Sequence, residues 1–482
     1  MKHGIEQLVP LAILLSFIGG MANALVFHRT KKSVGVQFIS WVCLLLSLTV
    51  NISMWRYLGH HKPLEYFFGG WPAPWGITFY VDRFAVAFCT LVSTLSLLSW
   101  TYSFHKQPAL HRSLFFILQM SLYGMILTQD FFNFYVFLEV CSICLYGLLS
   151  DPNEPRSYLS VFRYLAVNTV AASLYLIGLA FVYSQCGSLN MSDLVSLIDL
   201  EDLPNKIGIG LMVVGFSIKT ALFPLHFWLI DTYGNSKAQN TGFIASIVTK
   251  VFCIFLLRIF YSMLGHGEEA LKLLSYLGIL AWVSIALAPL LASKQKDLRK
   301  ILAYSSISQI GYIIVGLAEG SSLGLYAAIL QIFHHAVVKL TLFFVADEMN
   351  SQWGSYDVLH MANLPKHSKL ITLACCMALL SLIGIPPLPG FFVKWMLIQS
   401  AMTQGHWVVI AIIAIGAMTS LLYTLRMIEI MFFPHTPWTE SSSSKPHWNV
   451  YAPIAVALVL LMLQVGLLNQ LLSWSQLTRY QP

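Results

Sequence analysis

The chain has 482 residues, 57% of them hydrophobic and only 10% charged, with a mean hydropathy of +0.71. A soluble globular domain averages about 25% charged residues, so this composition excludes that class and points to a membrane. The net charge of +7 does not argue for nucleic acid, because no Lys/Arg run exceeds two adjacent residues (Lys31-Lys32, Arg299-Lys300). A basic excess confined to loops is what membrane topology itself requires.

In chain order, apolar segments fall at 5–27, 35–58, 79–104, 112–129, 131–149, 158–184, 205–229, 239–263, 271–293, 301–318, 322–348, 369–401, 406–433 and 448–475. Crossing about 30 Å of hydrocarbon takes roughly 20 apolar residues, so the pattern predicts an all-α polytopic membrane protein of about fourteen transmembrane helices. Residues 5–27 lack a charged leader and a small-residue cleavage site, and read as the first span. Loops after odd-numbered spans hold fourteen Lys and Arg (among them Lys31, Lys106, Arg156, Lys237, Lys296, Arg299, Lys366) against six on the opposite side, Lys2 before the first span included. The positive-inside rule then sets both termini on the non-cytoplasmic side, in agreement with an even number of spans.

The eight cysteines offer one close pair, Cys141-x-x-Cys144, inside an apolar helix and without a second pair. A structural zinc site needs four ligands, so the thiols read as small helix-packing residues. No metal or cofactor site is predicted.

Some basic residues fall within spans or at their ends. Arg83, Arg163 and Arg258 lie near span ends, where they can snorkel to the interface, and Arg426 has Glu429 at i+3 for local pairing. Lys219, Lys250, Lys339 and Lys394 stand between long apolar stretches instead. A mid-span lysine costs roughly 2.5–3.5 kcal/mol on insertion, a penalty that packing never requires, so the four either mark an ion path or sit at interfaces beyond misplaced span boundaries, an alternative that weakens for all four together. Two of them adjoin helix breakers: Lys219 precedes Pro224, and Lys394 follows Pro386, Pro387 and Pro389. Proline removes a backbone donor, and freed carbonyls in hydrocarbon need water or side-chain partners. The broken helices are the seventh and twelfth, five apart. That spacing fits two inverted five-helix repeats, 112–263 (helices 4–8) and 264–433 (helices 9–13), between N-terminal helices 1–3 (1–111) and a C-terminal helix 14 (434–482).

Across nearly its whole length the chain resembles the proton-translocating antiporter-like subunits shared by respiratory complex I, Mrp antiporters and membrane-bound hydrogenases. The stretches that carry the resemblance are Asp130–Glu139, Lys219–Asp231, Asp297–Tyr312, His334–Lys339 and Gly384–Lys394. Gly69–Gly76, with its Trp-Pro-Ala-Pro-Trp core, looks most like the D-type subunit of Mrp antiporters. Two stretches depart from the family's pattern: Gly234–Asn240 stands where a small-residue, proline-containing linker is usual, and Asp347-Glu348 where Ala-Gly is common.

The resemblance pairs Glu139 on helix 5 with Lys219 on helix 7, passes the proton to Lys250 on helix 8, and makes Lys394 on helix 12 the exit-side carrier. A nearby carboxylate stabilises a protonated lysine while desolvation opposes it, so separating such a pair releases a proton. His335 and Lys339, at i,i+4, share a face of helix 11, and His334 adjoins them. These residues either link the two half-paths or simply bond a neighbouring carbonyl. His226 beside Pro224 is a candidate for the cytoplasmic intake. Lysine cannot coordinate Na⁺, so a sodium path would use other residues or other subunits.

The expected function is therefore a proton-translocating subunit of a multisubunit cation/proton antiporter, in a bacterial inner membrane beside other membrane subunits and lipid. Two rivals remain, a pumping subunit of an NADH:quinone oxidoreductase or hydrogenase, and a scaffold that no longer conducts. Nothing in the sequence binds NADH, flavin or iron–sulfur clusters.

Overall fold

The protein is described by a computed structural model that covers residues 5–25, 34–265, 267–433 and 448–466. Lys2, Arg29, Lys31, Lys32, Lys445, Arg479 and the predicted helix beyond Gly466 lie outside the described residues. Apart from one two-stranded hairpin, the described residues are mostly helical: α1 (Leu8–Leu25), α2 (Val34–Leu58), α3 (Arg83–Tyr102), α4 (Ala109–Leu127), α5 (Phe131–Leu149), α6 (Pro155–Cys186), α7 (Met191–Leu197), α8 (Leu203–Lys219), α9 (Phe227–Gly234), α10 (Ala238–Leu257), α11 (Glu268–Ser293), α12 (Leu298–Ala318), α13 (Ser322–Trp353), α14 (Leu364–His367), α15 (Lys369–Ile383), α16 (Pro389–Gln404), α17 (Trp407–Phe432) and α18 (Trp448–Gly466). Among the described residues, eleven helical segments are long and apolar enough to cross a membrane. The predicted seventh and twelfth spans are each split into two shorter helices, α8/α9 and α15/α16.

The start of the predicted third span differs. Thr78–Val81 is a strand, paired antiparallel with Leu64–Phe67, and α3 begins only at Arg83 behind an Asp82 N-cap whose carboxylate accepts from Ala85 N at 2.6 Å. The hairpin encloses Gly69–Gly76, whose Trp71 and Trp75 are exposed as in the aromatic belts of membrane interfaces.

The loops sort onto two opposite ends of the helices. Those after α5, α9, α11 and α13 line one cavity. Backbone bridges Phe79–Thr128 and Asp130–Asn190 join the loops after α2, α4 and α6 at the other end. The first set is the one the sequence marks with the basic excess, so the alternation expected of consecutive spans is present. At the centre, residues 240–260 are wholly buried, and α12 and α13 nearly so. The lysines of the predicted path are carried on and around this triad.

Both breaks are built to satisfy backbone groups that hydrocarbon cannot. At the first, Thr220 Oγ1 donates to Phe216 O (2.9 Å), Trp228 Nε1 to Ile218 O (2.9 Å), and Ser284 Oγ accepts from Phe223 N (3.0 Å). At the second, α15 ends on Gly384 at φ 92°, a left-handed conformation that glycine adopts without a Cβ penalty. Pro389 then occupies the first turn of α16, where its missing N–H costs nothing. Gly390 packs so tightly that a Cβ would stand 1.8 Å from Ser381 O.

Four arginines differ from their expected settings or gain partners. Arg258 does not snorkel: it is buried, 3.7 Å from Asp82, and donates to Thr128 O at 3.4 Å. Arg83 donates to Leu58 O (2.8 Å) and Gly59 O (2.7 Å), closing the end of α2. Arg426 donates to Ser293 O (2.9 Å) and Gln295 O (3.3 Å), the last carbonyls of α11 and its loop. Arg163 pairs with Asp231 at 3.0 Å. Helix C-termini leave unpaired carbonyls, and the sequence gives no sign of which distant helix end an arginine will reach.

Candidate functional site

The predicted residues gather into three groups. The first holds Lys219, the last residue of α8, 3% exposed. Its Nζ donates to Ser142 Oγ at 3.3 Å and lies 5.8 Å from the Phe252 ring centroid. Glu139 precedes Ser142 by three residues and therefore shares its face of α5. Its charge reaches Lys219, yet the lysine's hydrogen bond is to the hydroxyl. Glu139 is half-buried, and its helical neighbours Val136 and Ile143 are exposed by 43% and 63%.

The second group is Lys250, His335 and Lys339, all fully buried. Lys250 Nζ donates to Ala245 O within α10, and Lys339 Nζ to Leu302 O (2.7 Å) and Ser305 Oγ on α12. His335 feels the charges of both lysines. Neither of its ring nitrogens, nor the Thr249 hydroxyl beside Lys250, has a partner among the described residues. Buried polar atoms are nearly always bonded, so these orphans mark where bridging water fits.

The third group surrounds Lys394. Its Nζ donates to Leu382 O (3.0 Å) and Ile383 O (2.5 Å), the carbonyls that the break leaves open, and sits 5.1 Å from the Tyr312 ring centroid. His334 shares hydrogen bonds with Ser381 Oγ (2.8 Å) and Gln331 Oε1 (3.2 Å), and Gln331 Nε2 donates to Gln309 Oε1 at 2.6 Å. His334 also feels the Lys394 charge. Since His334 and His335 are consecutive on α13, they connect the second group to the third. His334 bonds side chains, not the carbonyl weighed from the sequence.

His226 stands apart, stacked between Phe223 (4.7 Å) and Phe227 (4.6 Å) at the first break. Sequence reasoning missed Ser142, Ser381 and Gln331. Small polar residues in apolar helices are common, and only the packing shows which ones touch a lysine. Among the described residues no group of His, Cys, Asp and Glu is placed to hold a metal, and all eight cysteines are free.

The family described as NADH:quinone oxidoreductase/Mrp antiporter, TM, matches residues 128–420. The chain is 34% identical to NADH-quinone oxidoreductase subunit N of Desulforudis audaxviator, over 95% of this chain and 94% of that one. It is 31% identical to the D subunit of the Na(+)/H(+) antiporter of Alkalihalophilus pseudofirmus, over 96% and 94%. Among solved structures, a chain of the archaeal membrane-bound sulfane sulfur reductase superposes with a TM-score of 0.89 at 25% identity, covering 98% of this chain and 96% of that one. A chain of the Mrp complex from Dietzia superposes with 0.88 at 24% identity, covering 98% and 97%. These neighbours are subunits of multisubunit membrane complexes. With its broken helices, its buried lysines and these relatives, the chain belongs to the NADH:quinone oxidoreductase/Mrp antiporter transmembrane family.

Proposed function

We propose that this chain is a proton-translocating membrane subunit of a multisubunit cation/proton antiporter, similar to the Mrp D subunit. The single observation that carries the proposal is the series of ionisable groups, half-buried Glu139 beside buried Lys219, then the buried Lys250–His335–Lys339, then the buried His334–Lys394, laid between two broken helices. Charged groups inside the membrane are expensive and mark relays. Separation of Glu139 from Lys219 frees the Lys219 proton, Lys250 receives it through water, and the His335/His334 pair hands it toward Lys394, the exit-side carrier. The basic loops face the cytoplasm and both termini lie outside, in a bacterial inner membrane. The two five-helix repeats are inverted copies that set the two breaks in opposite senses. Na⁺ crosses elsewhere in the complex.

Glu139 supports the assembly part of this reading. A carboxylate facing lipid beside Val136 and Ile143 is costly, so a neighbouring membrane subunit covers that face of α5. A second reading has a specific observation behind it: the 34% identity to a subunit N of NADH-quinone oxidoreductase makes the chain the proton-pumping subunit of such a complex or of a hydrogenase. In either case this chain moves protons and performs no redox chemistry.

Gentle detergent extraction followed by subunit identification and dye-reported proton flux decides between them. The antiporter reading expects cation-antiporter subunits in the complex and flux driven by a Na⁺ gradient. Co-purified redox subunits, with flux that follows quinone reduction, overturn it in favour of the second.

A further inference from the structure

The two stretches that depart from the family's sequence pattern, Gly234–Asn240 and Asp347-Glu348, meet in space. The Asp347 carboxylate accepts from Tyr102 Oη at 3.2 Å and from the backbone N–H of Gln239, in the first turn of α10. Helix N-termini favour an anion at that position. Tyr102 also stacks on Phe344 at 4.0 Å and donates to its carbonyl at 3.0 Å, which fixes the phenol against α13.

This cluster stands directly behind the cavity formed by the basic loops, a space of about 600 Å³. Asn350, one turn beyond Asp347 on α13, lines that cavity, as do Lys237 and Tyr356, and the charges of both groups couple to Asp347. On the inward side Lys339 lies eight residues away, about 12 Å along the helix axis. One helix thus carries, in order, Asn350 at the cavity, Asp347, Lys339 and His335.

The geometry points to Asp347 as a proton-uptake group that feeds the central Lys339–Lys250–His335 cluster from the cavity, in a path that runs only while the Glu139–Lys219 pair also switches, so that both are needed for flux. The inference rests on the proton-path reading above. In the step, a carboxylate oxygen of Asp347 takes a proton from cavity water. The neutral acid then gives it through bridging water to the neutral amine of Lys339, which restores the carboxylate and creates the ammonium. The groups facing Asp347 are Tyr102 from α3, Gln239 N–H and Lys237 at the start of α10, Tyr356 from the loop after α13, and Glu348 on its own helix. Glu348 is engaged by His367 (3.0 Å) and Gln352 (3.1 Å), and Lys237 by Asp151 (3.1 Å), leaving Asp347 as the carboxylate nearest the path. Burial, and next the Asp347 charge, push the Tyr356 phenol up to about 12, so Tyr356 stays protonated and does not relay.

A purely structural staple between α3, α10 and α13 needs only an acceptor at this position, which asparagine supplies, whereas proton uptake needs a group that titrates. The test uses the intact complex in inverted vesicles with a pH-sensitive dye. Asp347→Asn is expected to assemble normally and lower proton flux at least about tenfold, while Asp347→Glu keeps most of it. Tyr102→Phe, which removes the hydrogen bond but leaves the carboxylate, is expected to change flux little. Wild-type flux in Asp347→Asn overturns the inference, and so does a loss in Tyr102→Phe as deep as that in Asp347→Asn. Lys219→Ala is measured alongside. If it abolishes flux while Asp347→Asn does not, only the uptake role fails; if it leaves flux intact, the proton-path reading itself fails.

Discussion

The two helix breaks carry their lysines in different ways. At the first, Lys219 contacts a side-chain hydroxyl, Ser142, that belongs to the same helical face as Glu139. At the second, Lys394 contacts the backbone carbonyls of Leu382 and Ile383, the open end of α15. Side chains move and titrate, whereas helix-end carbonyls are fixed dipoles. Lys219 therefore has a titratable neighbour, whereas the position of Lys394 is set by the fold. The first break suits loading and release, the second a carrier whose position is set once.

That contrast predicts different responses to substitution, the deepest at the second break. Gly390→Ala drives a Cβ into Ser381 O and should destabilise by more than about 3 kcal/mol, seen as loss of the assembled complex from membranes. Lys394→Ala should lose flux and also stability, by about 2 kcal/mol or more, because two buried carbonyls go unpaired; the thermal unfolding of the detergent-extracted complex reads this. Ser142→Ala removes the Lys219 contact but leaves Glu139, and should lower flux only about two- to fivefold with unfolding unchanged. Ala221 holds φ 57° in the first break, a left-handed conformation that costs a residue with a Cβ roughly 1–2 kcal/mol. Ala221→Gly should raise the unfolding temperature slightly and leave flux as it was. A large loss of stability in Ser142→Ala, or none in Lys394→Ala, would erase the distinction between the two breaks.

Much of this was legible in the residues. Apolar runs and prolines are local signals, so the helices and both breaks follow from them, and a lysine inside hydrocarbon is conspicuous because its penalty is large. The partners were not legible. Ser142, Ser381 and Gln331 look like ordinary packing residues until the helices are placed, and Arg258 finds Asp82 only through tertiary contact. The strand Thr78–Val81 was hidden because only Asp82-Arg83 separates its apolar residues from those of α3, an interruption too short for hydropathy to mark as the end of an element. Asp347 stood out as a departure from a family pattern, but its proximity to the Gly234–Asn240 linker is a property of the fold.

The central claim is that protons move through Lys219 under the control of Glu139. Its most direct test is proton flux in inverted vesicles for Lys219→Ala and Glu139→Ala, each confirmed to assemble at wild-type levels. Removing Lys219 leaves the Ser142 hydroxyl bonded to Leu138 O, so Lys219→Ala should fold and assemble normally, and both variants should lose nearly all proton-coupled transport. Full transport in either assembled variant contradicts the account.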